Sequence, residues 1–437
     1  MCLKHNILLV TVLFCLKIYA QDQQYTFSRI DVSNGLSHNQ VTTILKDKNG
    51  FLWFGTMSGL NRYDGYTIKT FRNTPDSNSI VDNYVNTIWE FPGNKLWIAS
   101  RNDTSVYDLS TEKFDRNYGR YLESLSLPVG NIITIKKDSK NNYWFIYDTQ
   151  RIFRYGPDNK LTHFHHIKND SSVIASNNVT HIAEDSYGYV WLIHRNGRLE
   201  KIDPVSKKII TRIDKLQQIN KGNYGYTIFI DRDNDLWIWT GEPRGVFLFN
   251  TKNGSIHEFN EKSSRYKLNN NLVNGITQDK NGLIWVATDH GGINLINKAR
   301  QFSIQYLLND PESNKSLSQN SVTSLYRDNS DILWIGTYKQ GISYINENII
   351  KFAHYKHKTS DANSLQYDDV NRFAEDAKGN IWIGTNGGGL IYFDRLKNKF
   401  TQYTHDPADP NSLSNNVIVS LCIDHEQKLW VGTYMGG

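Results

Sequence analysis

Three aspartates spaced two residues apart form the group most suggestive of metal chemistry. They are Asp231, Asp233 and Asp235. Carboxylates in this alternation begin the Ca²⁺-binding loop of an EF-hand, and Glu242 falls at the twelfth position of such a loop. However, Leu236 stands where the loop requires glycine, and Trp237 belongs to a repeated strand motif. We therefore predict no metal at this position.

A histidine cluster is the second candidate for metal binding. His163, His165 and His166 flank Phe164. Adjacent residues of a strand point to opposite faces, so at most two of the three could share a metal, and we interpret the cluster as the surface of an edge strand. The sequence contains no nucleophile elbow, P-loop or HExxH motif. We predict no catalytic residue and no cofactor, although a carboxylate pair assembled from distant segments stays open.

Nine tryptophans recur at intervals of 44–49 residues and define a repeat. They are Trp53, Trp97, Trp144, Trp191, Trp237, Trp285, Trp334, Trp382 and Trp430. An aspartate precedes the tryptophan by six residues in eight of the nine copies, and a glycine precedes it by three in four copies. The pattern is similar to the Asp box of sialidases, with the aspartate one residue further from the tryptophan. It predicts a turn in which the aspartate carboxylate accepts hydrogen bonds from backbone N–H groups and the glycine adopts the left-handed backbone conformation.

Each repeat divides into four short apolar runs separated by turns. Around Trp334 the runs are 322–326, 332–335, 342–345 and 351–355. Four strands and their turns need about 45 residues, which is one blade of a β-propeller. Helical repeats would require a period of 3.6 residues, which this sequence lacks. The chain is thus predicted to be all-β, with four-stranded propeller blades of about 46 residues whose tryptophans are structural anchors between blades.

Several segments resemble the two-component-regulator propeller family. They are 35–41, 47–56, 59–65, 412–416 and 429–433. The resemblance covers about residues 25–437. Repeats three to five depart from it, because Ile146, Ile193 and Trp239 replace the glycine of the Gly-Thr pair that follows the tryptophan in the cleanest copies. Any deviation in blade geometry is therefore expected in these three repeats.

The resemblance implies the periplasmic sensor region of a hybrid two-component system of Bacteroidetes. Such proteins join two seven-bladed propellers, a β-sandwich, a membrane helix, a histidine kinase, a receiver and an AraC-type DNA-binding domain. Many recognise oligosaccharides and switch on polysaccharide-utilisation genes, and full-length relatives dimerise in the inner membrane. The resemblance implies an oligosaccharide as partner, possibly acidic, and no nucleic acid bound by this chain. A secreted glycosidase or lyase and a protein-interaction propeller remain alternatives.

The order of segments predicts an exported chain. Residues 1–20 form a signal peptide with an apolar run of ten residues, 7–16, which is too short to span a bilayer. Seven repeats over 25–350 make a first propeller, and 351–437 make the first two blades of a second, truncated one. The expectation is a fragment of a longer sensor in the periplasm, with a weakly stable C-terminal piece, because a propeller must close to hide its edge strands.

The composition agrees with an all-β chain and argues against nucleic-acid binding and an internal disulfide. Aromatic residues make up 13% of the chain, with 30 glycines and 9 prolines, a balance typical of strands and turns. The net charge of +5 has no basic run that would indicate nucleic-acid binding. Cys422 is the one cysteine beyond the signal peptide, so the mature chain has no internal disulfide.

Ligand contacts are expected on one face of the propeller. Alternate connections of a four-stranded meander share a face, so the loops between second and third strands lie with the loops between blades. Arginine and aromatic side chains there suit sugars, particularly carboxylated or sulfated ones. The candidates are Arg101, Tyr147, His194, Arg195, Arg244, His290, Tyr338, Lys339 and Asn386, with Asn102, Asp148, Glu242 and Asp289 beside them.

Overall fold

The structure, a computed structural model, describes residues 25–149, 151–346 and 355–436. The predicted signal peptide lies outside these residues, as does most of the strand predicted at 351–355. The chain divides into two units, Met1–Ile349 and Ile350–Gly437. No helix among the described residues is long and apolar enough to cross a membrane.

Within its described residues, the first unit contains seven antiparallel sheets of four strands, which we number as blades 1 to 7. Blade 1 consists of β2 (Val41–Lys46), β3 (Leu52–Thr56), β4 (Gly59–Tyr63) and β5 (Ile68–Phe71). Blade 2 consists of β6 (Val85–Phe91), β7 (Lys95–Ser100), β8 (Thr104–Asp108) and β9 (Lys113–Asp115). Blade 3 consists of β10 (Ile132–Lys137), β11 (Tyr143–Tyr147), β12 (Ile152–Tyr155) and β13 (Leu161–Phe164). Blade 4 consists of β14 (Val179–Glu184), β15 (Val190–His194), β16 (Leu199–Ile202) and β17 (Ile209–Ile213).

The remaining blades of this unit follow the same order. Blade 5 consists of β18 (Tyr226–Ile230), β19 (Leu236–Thr240), β20 (Val246–Phe249) and β21 (Ile256–Phe259). Blade 6 consists of β22 (Val273–Gln278), β23 (Ile284–Thr288), β24 (Gly292–Asn297) and β25 (Ser303–Leu307). Blade 7 consists of β26 (Val322–Arg327), β27 (Leu333–Thr337), β28 (Ile342–Ile345) and, from the N-terminus, β1 (Ser28–Ile30). Short helices α1 (Gly119–Ser124) and α2 (Lys215–Ile219) and two 3₁₀ turns (Val32–Asn34 and Lys298–Arg300) lie between strands.

The N-terminal strand closes the ring. β1 pairs with β28 from Ser28 opposite Tyr344 to Ile30 opposite Ile342. The outer position of blade 7 is therefore filled from the N-terminus, and not by the 351–355 segment that the repeat pattern predicts. The inner strand β2 contacts both β6 and β26, so blades 1 and 7 are neighbours and the ring has no free edge there.

The repeat tryptophans fill the spaces between blades. The seven in the first unit are at most 4% exposed. Trp285 of blade 6, for example, shares an apolar cluster with Val322 and Ile335 of blade 7. Each tryptophan lies on the second strand of its sheet and packs toward the next blade, as the repeat predicts for an anchor. Burying such a side chain stabilises the fold by about 1.5–3 kcal/mol.

The repeat aspartate forms the predicted turn in all eight copies that have it. In the first copy, one carboxylate oxygen of Asp47 accepts the N–H groups of Asn49 (2.9 Å) and Phe51 (3.0 Å). The other oxygen accepts the indole N–H of Trp53 at 2.7 Å. The residue three before the tryptophan has positive φ in all nine copies, at Gly50, Asn94, Asn141, Gly188, Asn234, Gly282, Asp331, Gly379 and Gln427. Glycine and small polar residues tolerate this conformation best.

Repeats three to five form complete blades despite their unusual sequence. The pairing of first and second strands shifts by one residue in eight of the nine described sheets, as at Val41 and Thr43. Blade 5 pairs Tyr226 with Thr240 without this bulge. Glycine is needed in blade 1 because a Cβ on Gly55 would lie 2.8 Å from Val85 of the next blade. Blades 3 to 5 instead bury Ile146, Ile193 and Trp239 at this position.

The second unit contains one complete sheet and one partial sheet among its described residues. The complete sheet consists of β29 (Val370–Glu375), β30 (Ile381–Thr385), β31 (Leu390–Asp394) and β32 (Lys399–Tyr403), and the partial sheet of β33 (Ile418–Ile423) and β34 (Leu429–Thr433). Ile383, Ile391 and Phe393 form a small core. Trp430 is 64% exposed, in contrast to its equivalents in the first unit.

Candidate ligand-binding site

The loops between second and third strands lie on the same face as the loops between blades, and we call this the loop face. Hydrogen bonds from one set of loops to the other establish this arrangement. The N–H of Arg101 donates to the carbonyl of Tyr84 (3.1 Å), and that of Arg195 donates to Asn178 (2.8 Å). The N–H of Tyr338 likewise donates to Ser321 at 3.0 Å. Arg101, Arg195 and Tyr338 therefore lie on loops that backbone hydrogen bonds connect to the loops between blades.

Glycines connect the loop face of each blade to the next. Gly341 of blade 7 donates its N–H to the carbonyl of Asn39 before blade 1 at 2.9 Å. Its φ is +68°, and an added Cβ would lie 2.2 Å from the carbonyl of Ile30. Gly59, Gly245 and Gly292 make the equivalent bonds from blades 1, 5 and 6. Only a residue without a side chain fits this close approach.

Two predicted cationic residues on the loop face each lie close to an aromatic ring, and one of these rings belongs to a third predicted residue. The guanidinium of Arg101 lies 4.4 Å from the ring centre of Tyr84. The ammonium of Lys339 lies 5.3 Å from the ring of its neighbour Tyr338. Arg101, Tyr338 and Lys339 are exposed. Cations placed this way keep their charge available while the ring restrains their position.

Arg195 and Arg244 meet at Tyr224, although they belong to different blades. Tyr224 donates its N–H to the carbonyl of Arg195 at 2.7 Å. Arg244 donates through Nη2 to the Tyr224 hydroxyl at 2.7 Å, and its guanidinium lies 5.0 Å from the ring centre. Both arginines are exposed. Sequence reasoning missed Tyr84 and Tyr224 because they lie in loops between blades, where the repeat gives no fixed position.

Tyr147 and His194 are buried, which corrects their assignment as ligand contacts. Tyr147 is 2% exposed and its hydroxyl donates to the carbonyl of Pro128 at 2.9 Å. Burial raises the pKa of Tyr147 well above its usual range. His194 is 1% exposed and its Nε2 lies 2.8 Å from a carboxylate oxygen of Glu200. Both residues end the second strand, where other blades carry threonine or serine turned inward.

Glu200 accepts a hydrogen bond from the preceding loop, and equivalent residues do the same in several other blades. Its carboxylate accepts the N–H of Ala175 in the preceding loop at 3.1 Å, and Arg212 donates to it at 2.5 Å. Desolvation opposes its ionisation, but the bonds from His194 and Arg212 outweigh it and hold the pKa of Glu200 below its usual value. Asn61, Ser105, Asn294 and Ser343 accept loop N–H groups in the same way. The buried group of His194, Glu200 and Arg212 therefore holds a loop in place, as an asparagine or serine does in other blades.

The remaining predicted residues are separated from this group. His290 is exposed, has a φ of +61° and contacts Asp289, with 3.0 Å between its Nδ1 and the carboxylate. Asn386 lies in the second unit and donates to the carboxylate of Asp369 at 3.0 Å. Neither of them adjoins the Tyr224 group in the described contacts.

A lysine occupies the centre of the aspartate triplet. The ammonium of Lys298 lies 2.5 Å from Asp231, 2.8 Å from Asp233 and 2.9 Å from Asp235. Although desolvation opposes its charge, these bonds raise the pKa of Lys298 well above its usual range. The triplet thereby ties blade 5 to the 3₁₀ turn of blade 6. Within the described residues it is the one group with metal-site geometry, and the lysine fills it.

The histidine cluster is structural as well. His163 stacks on Phe153 (4.6 Å) and on His165 (4.8 Å). Nδ1 of His166 lies 3.0 Å from the carbonyl of Ile174, in the place that Asn73 and Asn309 take in other loops. The three rings thus do not converge on one point.

Two cavities open on the opposite face, where first strands turn into second strands, and we call this the turn face. One of about 380 Å³ lies against blades 4 to 7 and is lined by Phe229, Thr277, Gln278 and Arg327, among others. The other, of about 280 Å³, lies between blades 2 and 3 beside Tyr143 and Tyr155. These cavities could not be predicted from the sequence, because the side chains that line them follow no distinct pattern along a strand.

Sequence and structure comparisons agree with this architecture. The profile of the family "Two component regulator propeller" matches residues 35–58, 267–290, 316–339, 364–387 and 412–435. A 61-residue stretch is 41% identical to "Histidine kinase P4" of Formosa agariphila, over 14% of this chain and 4% of that protein.

Two solved structures from B. thetaiotaomicron share the fold. The extracellular domain of a putative hybrid two-component system aligns at 22% identity and a TM-score of 0.61, over 95% of this chain and 65% of that one. A second such domain aligns at 22% identity and a TM-score of 0.55, over 94% and 51%. This chain thus spans less than two thirds of the proteins it matches.

Together these findings define a β-propeller with one turn-and-strand motif in every blade. Five of its repeats match the two-component-regulator propeller family, and its fold is similar to that of those extracellular domains.

Proposed function

We propose that this chain is the extracytoplasmic ligand-sensing part of a hybrid two-component regulator, exported to the periplasm, and that it recognises an oligosaccharide to control polysaccharide-utilisation genes. The repeats and the extracellular domains of similar fold support the sensor class. The arrangement around Tyr224 supports the ligand class.

The Tyr224 group suits an acidic saccharide. Arg244 uses Nη2 to bind the tyrosine hydroxyl, which leaves its other N–H groups for a carboxylate or sulfate. Arg101 and Lys339 add two more restrained cations on the same face. An aromatic edge beside fixed donors is the combination that binding sites for sugars use. Such a ligand signals by binding one arrangement of the sensor better than another.

The test is calorimetric titration of the mature chain with sulfated or uronate-containing oligosaccharides and with neutral ones of equal length. We expect saturable binding of an acidic oligosaccharide without turnover. Arg244→Ala should weaken it at least about tenfold, since a hydrogen bond to a charged group contributes about 1.5–3 kcal/mol. Lys48→Ala, which removes an exposed charge from the turn face, is the control. Equal affinity for Arg244→Ala, or hydrolysis of the sugar, would contradict the proposal.

A further inference from the structure

On the turn face, a backbone N–H of one blade bonds to a side chain of the next blade at several joints. The donor lies five residues before the repeat tryptophan. The donor and acceptor pairs are Ser139 and Glu184, Ser186 and Asn234, Arg232 and Gln278, and Ala377 and Gln427, at 2.7–3.0 Å. Each bond ties the turn of one blade to its neighbour.

Blade 2 cannot make this bond to blade 3. Pro92 stands at the donor position, and proline has no backbone N–H. Asn141 stands three residues before its tryptophan, where Asn234 and Gln427 accept the bond in their blades, and its φ is positive like theirs. Within the described residues, the Asn141 side chain makes no hydrogen bond. Its amide is therefore exposed and available to a ligand.

The cavity of about 280 Å³ lies at this joint, and we call it the tyrosine cavity. Its lining includes Pro92, Lys137, Asn141, Tyr143, Tyr155 and Asn159. Tyr143 directly precedes the repeat tryptophan, and the other eight copies have leucine, isoleucine or valine at that position. Two departures from the repeat, Pro92 and Tyr143, thus meet in one cavity.

Two tyrosine rings stand side by side on one face of blade 3. Tyr143 of β11 lies directly opposite Tyr155 of β12, and also opposite Lys137 of β10. Directly opposite residues share a face of the sheet, with Cβ atoms about 4.5–5.5 Å apart. Both tyrosines are partly buried against a cluster that contains Phe91 and Trp97 of blade 2. The rings therefore face the gap between the two blades.

The polar groups of the tyrosine cavity favour an uncharged ligand that accepts hydrogen bonds. The ammonium of Lys137 is neutralised by Glu90 at 3.3 Å. The Tyr155 hydroxyl donates to Oδ1 of Asn159 at 2.7 Å, which leaves Nδ2 of Asn159 as a donor beside the Asn141 amide. Among the described residues that line the cavity none is acidic, so the strong acceptors that sugar hydroxyls use are missing. A proline-rich peptide instead presents solvated carbonyl groups and few N–H groups.

We propose that the tyrosine cavity binds a proline-containing segment of an extended peptide. The proline rings pack on Tyr143 and Tyr155, and the amides of Asn141 and Asn159 donate to carbonyl groups of the segment. Aromatic grooves recognise polyproline II segments in this way, because such a ligand is already extended and loses little entropy on binding. The site lies on the turn face and does not depend on the function proposed for the loop face.

The experiment titrates the mature chain with acetylated, amidated decaproline by calorimetry, and with a Gly-Ser peptide of equal length as the control ligand. We expect saturable binding of decaproline with one site per chain and no binding of the Gly-Ser peptide. Maltose and cellobiose are titrated in parallel. Absence of saturable decaproline binding overturns the proposal, and binding of either sugar in its place assigns the cavity to neutral sugars.

Variants locate the peptide. Tyr143→Leu removes one ring but introduces the residue that five other copies have, so it should fold and bind decaproline at least about tenfold more weakly. Tyr187→Leu is the matched control, because this tyrosine lies on the turn face of blade 4 and is 75% exposed. It should bind decaproline as tightly as wild type.

Asn141→Gly tests the amide without disturbing the turn, since glycine has positive φ at this position in four other copies. It should melt at about the wild-type temperature and weaken binding about threefold or more, which a merely structural asparagine would not do. Wild-type affinity in Tyr143→Leu or Asn141→Gly overturns the site. Arg244→Ala should leave decaproline binding intact, and a loss of affinity there would place the peptide on the loop face instead.

Discussion

The repeat aspartate and tryptophan act as one unit at the scale of single residues. One oxygen of Asp328 accepts the N–H groups of Ser330 and Ile332, and the other accepts the indole N–H of Trp334. The turn and the core anchor are therefore coupled, because the same carboxylate satisfies donors of both. Seven of the eight copies with the aspartate share this coupling, which explains the six-residue separation. In the other copy the hydroxyl of Tyr392 donates to Asp376 at 3.0 Å.

Trp334→Ala tests the anchor. Trp334 is 4% exposed and stacks on Tyr344 with 4.8 Å between ring centres. Its removal leaves a cavity between blades 7 and 1, and should lower the free energy of unfolding by about 3–5 kcal/mol. Trp430→Ala is the matched control, because its ring occupies the same repeat position but is 64% exposed. It should cost less than about 1 kcal/mol. Similar losses by chemical denaturation for the two variants would refute the assignment.

Lys298→Met tests whether the ammonium of Lys298 takes the place of a metal ion among the three aspartates. Asp231 and Asp235 are buried, so removal of the ammonium leaves uncompensated charges and should destabilise the protein by about 3–5 kcal/mol. Three carboxylates without the lysine should bind Ca²⁺, and millimolar CaCl₂ should raise the melting temperature of this variant. Wild type and Lys298→Met without Ca²⁺ provide the comparison, and Lys262→Met, at an exposed position, controls for loss of one charge. No response of Lys298→Met to Ca²⁺ would show that the triplet cannot hold a cation of this size.

Bonds between neighbouring blades organise the molecule at the scale of elements. The hydroxyl of Thr42 donates to the carbonyl of Val85, and that of Thr180 donates to Tyr226. Thr323 donates to Val41 and so links blade 7 to blade 1. Each donor follows the first residue of its inner strand, where the bulge turns its side chain toward the next blade.

These elements show how far the sequence predicts the fold. Strands around the tryptophan were predictable, because nine copies of one pattern average out local exceptions. The place of β1 was not, since only closure of the ring brings Ile30 opposite Ile342. The burial of Tyr147 and His194 was equally hidden, because a strand end faces inward or outward according to the turn that follows. Arg101 and Arg244 were predictable as exposed loop residues, but their tyrosine partners were not.

Gly341→Ala tests the closure of the ring. The new Cβ would lie 2.2 Å from the carbonyl of Ile30, on the strand that joins the N-terminus to blade 7. Gly50→Ala is the matched control, since its φ of +93° is equally left-handed but nothing lies within 4 Å of the added atom. We expect Gly50→Ala to cost about 1 kcal/mol from conformation alone, and Gly341→Ala to cost clearly more. Equal changes in urea midpoint would mean that contact with Ile30 does not limit this position.

At the scale of the whole molecule, the two units differ in how fully their sheets are covered by neighbouring blades. In the first unit, every inner strand has neighbouring blades, and the N-terminal strand completes the last sheet. In the second unit, Phe373 is 63% exposed on its inner strand, and Val419 and Trp430 are also exposed. Equivalent positions in the first unit are covered by a neighbouring blade: those of Phe373 by the preceding blade and those of Trp430 by the next. Stability should therefore reside mainly in the first unit.

Separate expression of the two units tests this distribution. Residues 21–349 should fold alone and melt in one cooperative transition that closely resembles the main transition of the full chain, because the ring buries its own edges. Residues 350–437 should aggregate or lack near-ultraviolet dichroism, since the described part leaves two apolar sheet surfaces uncovered. Tryptophan quenching by acrylamide provides the second measurement: Trp430 in the full chain should be quenched readily, and the buried tryptophans of 21–349 should be protected. A stable, monomeric 350–437 with protected Trp430 would show that this unit folds without further blades.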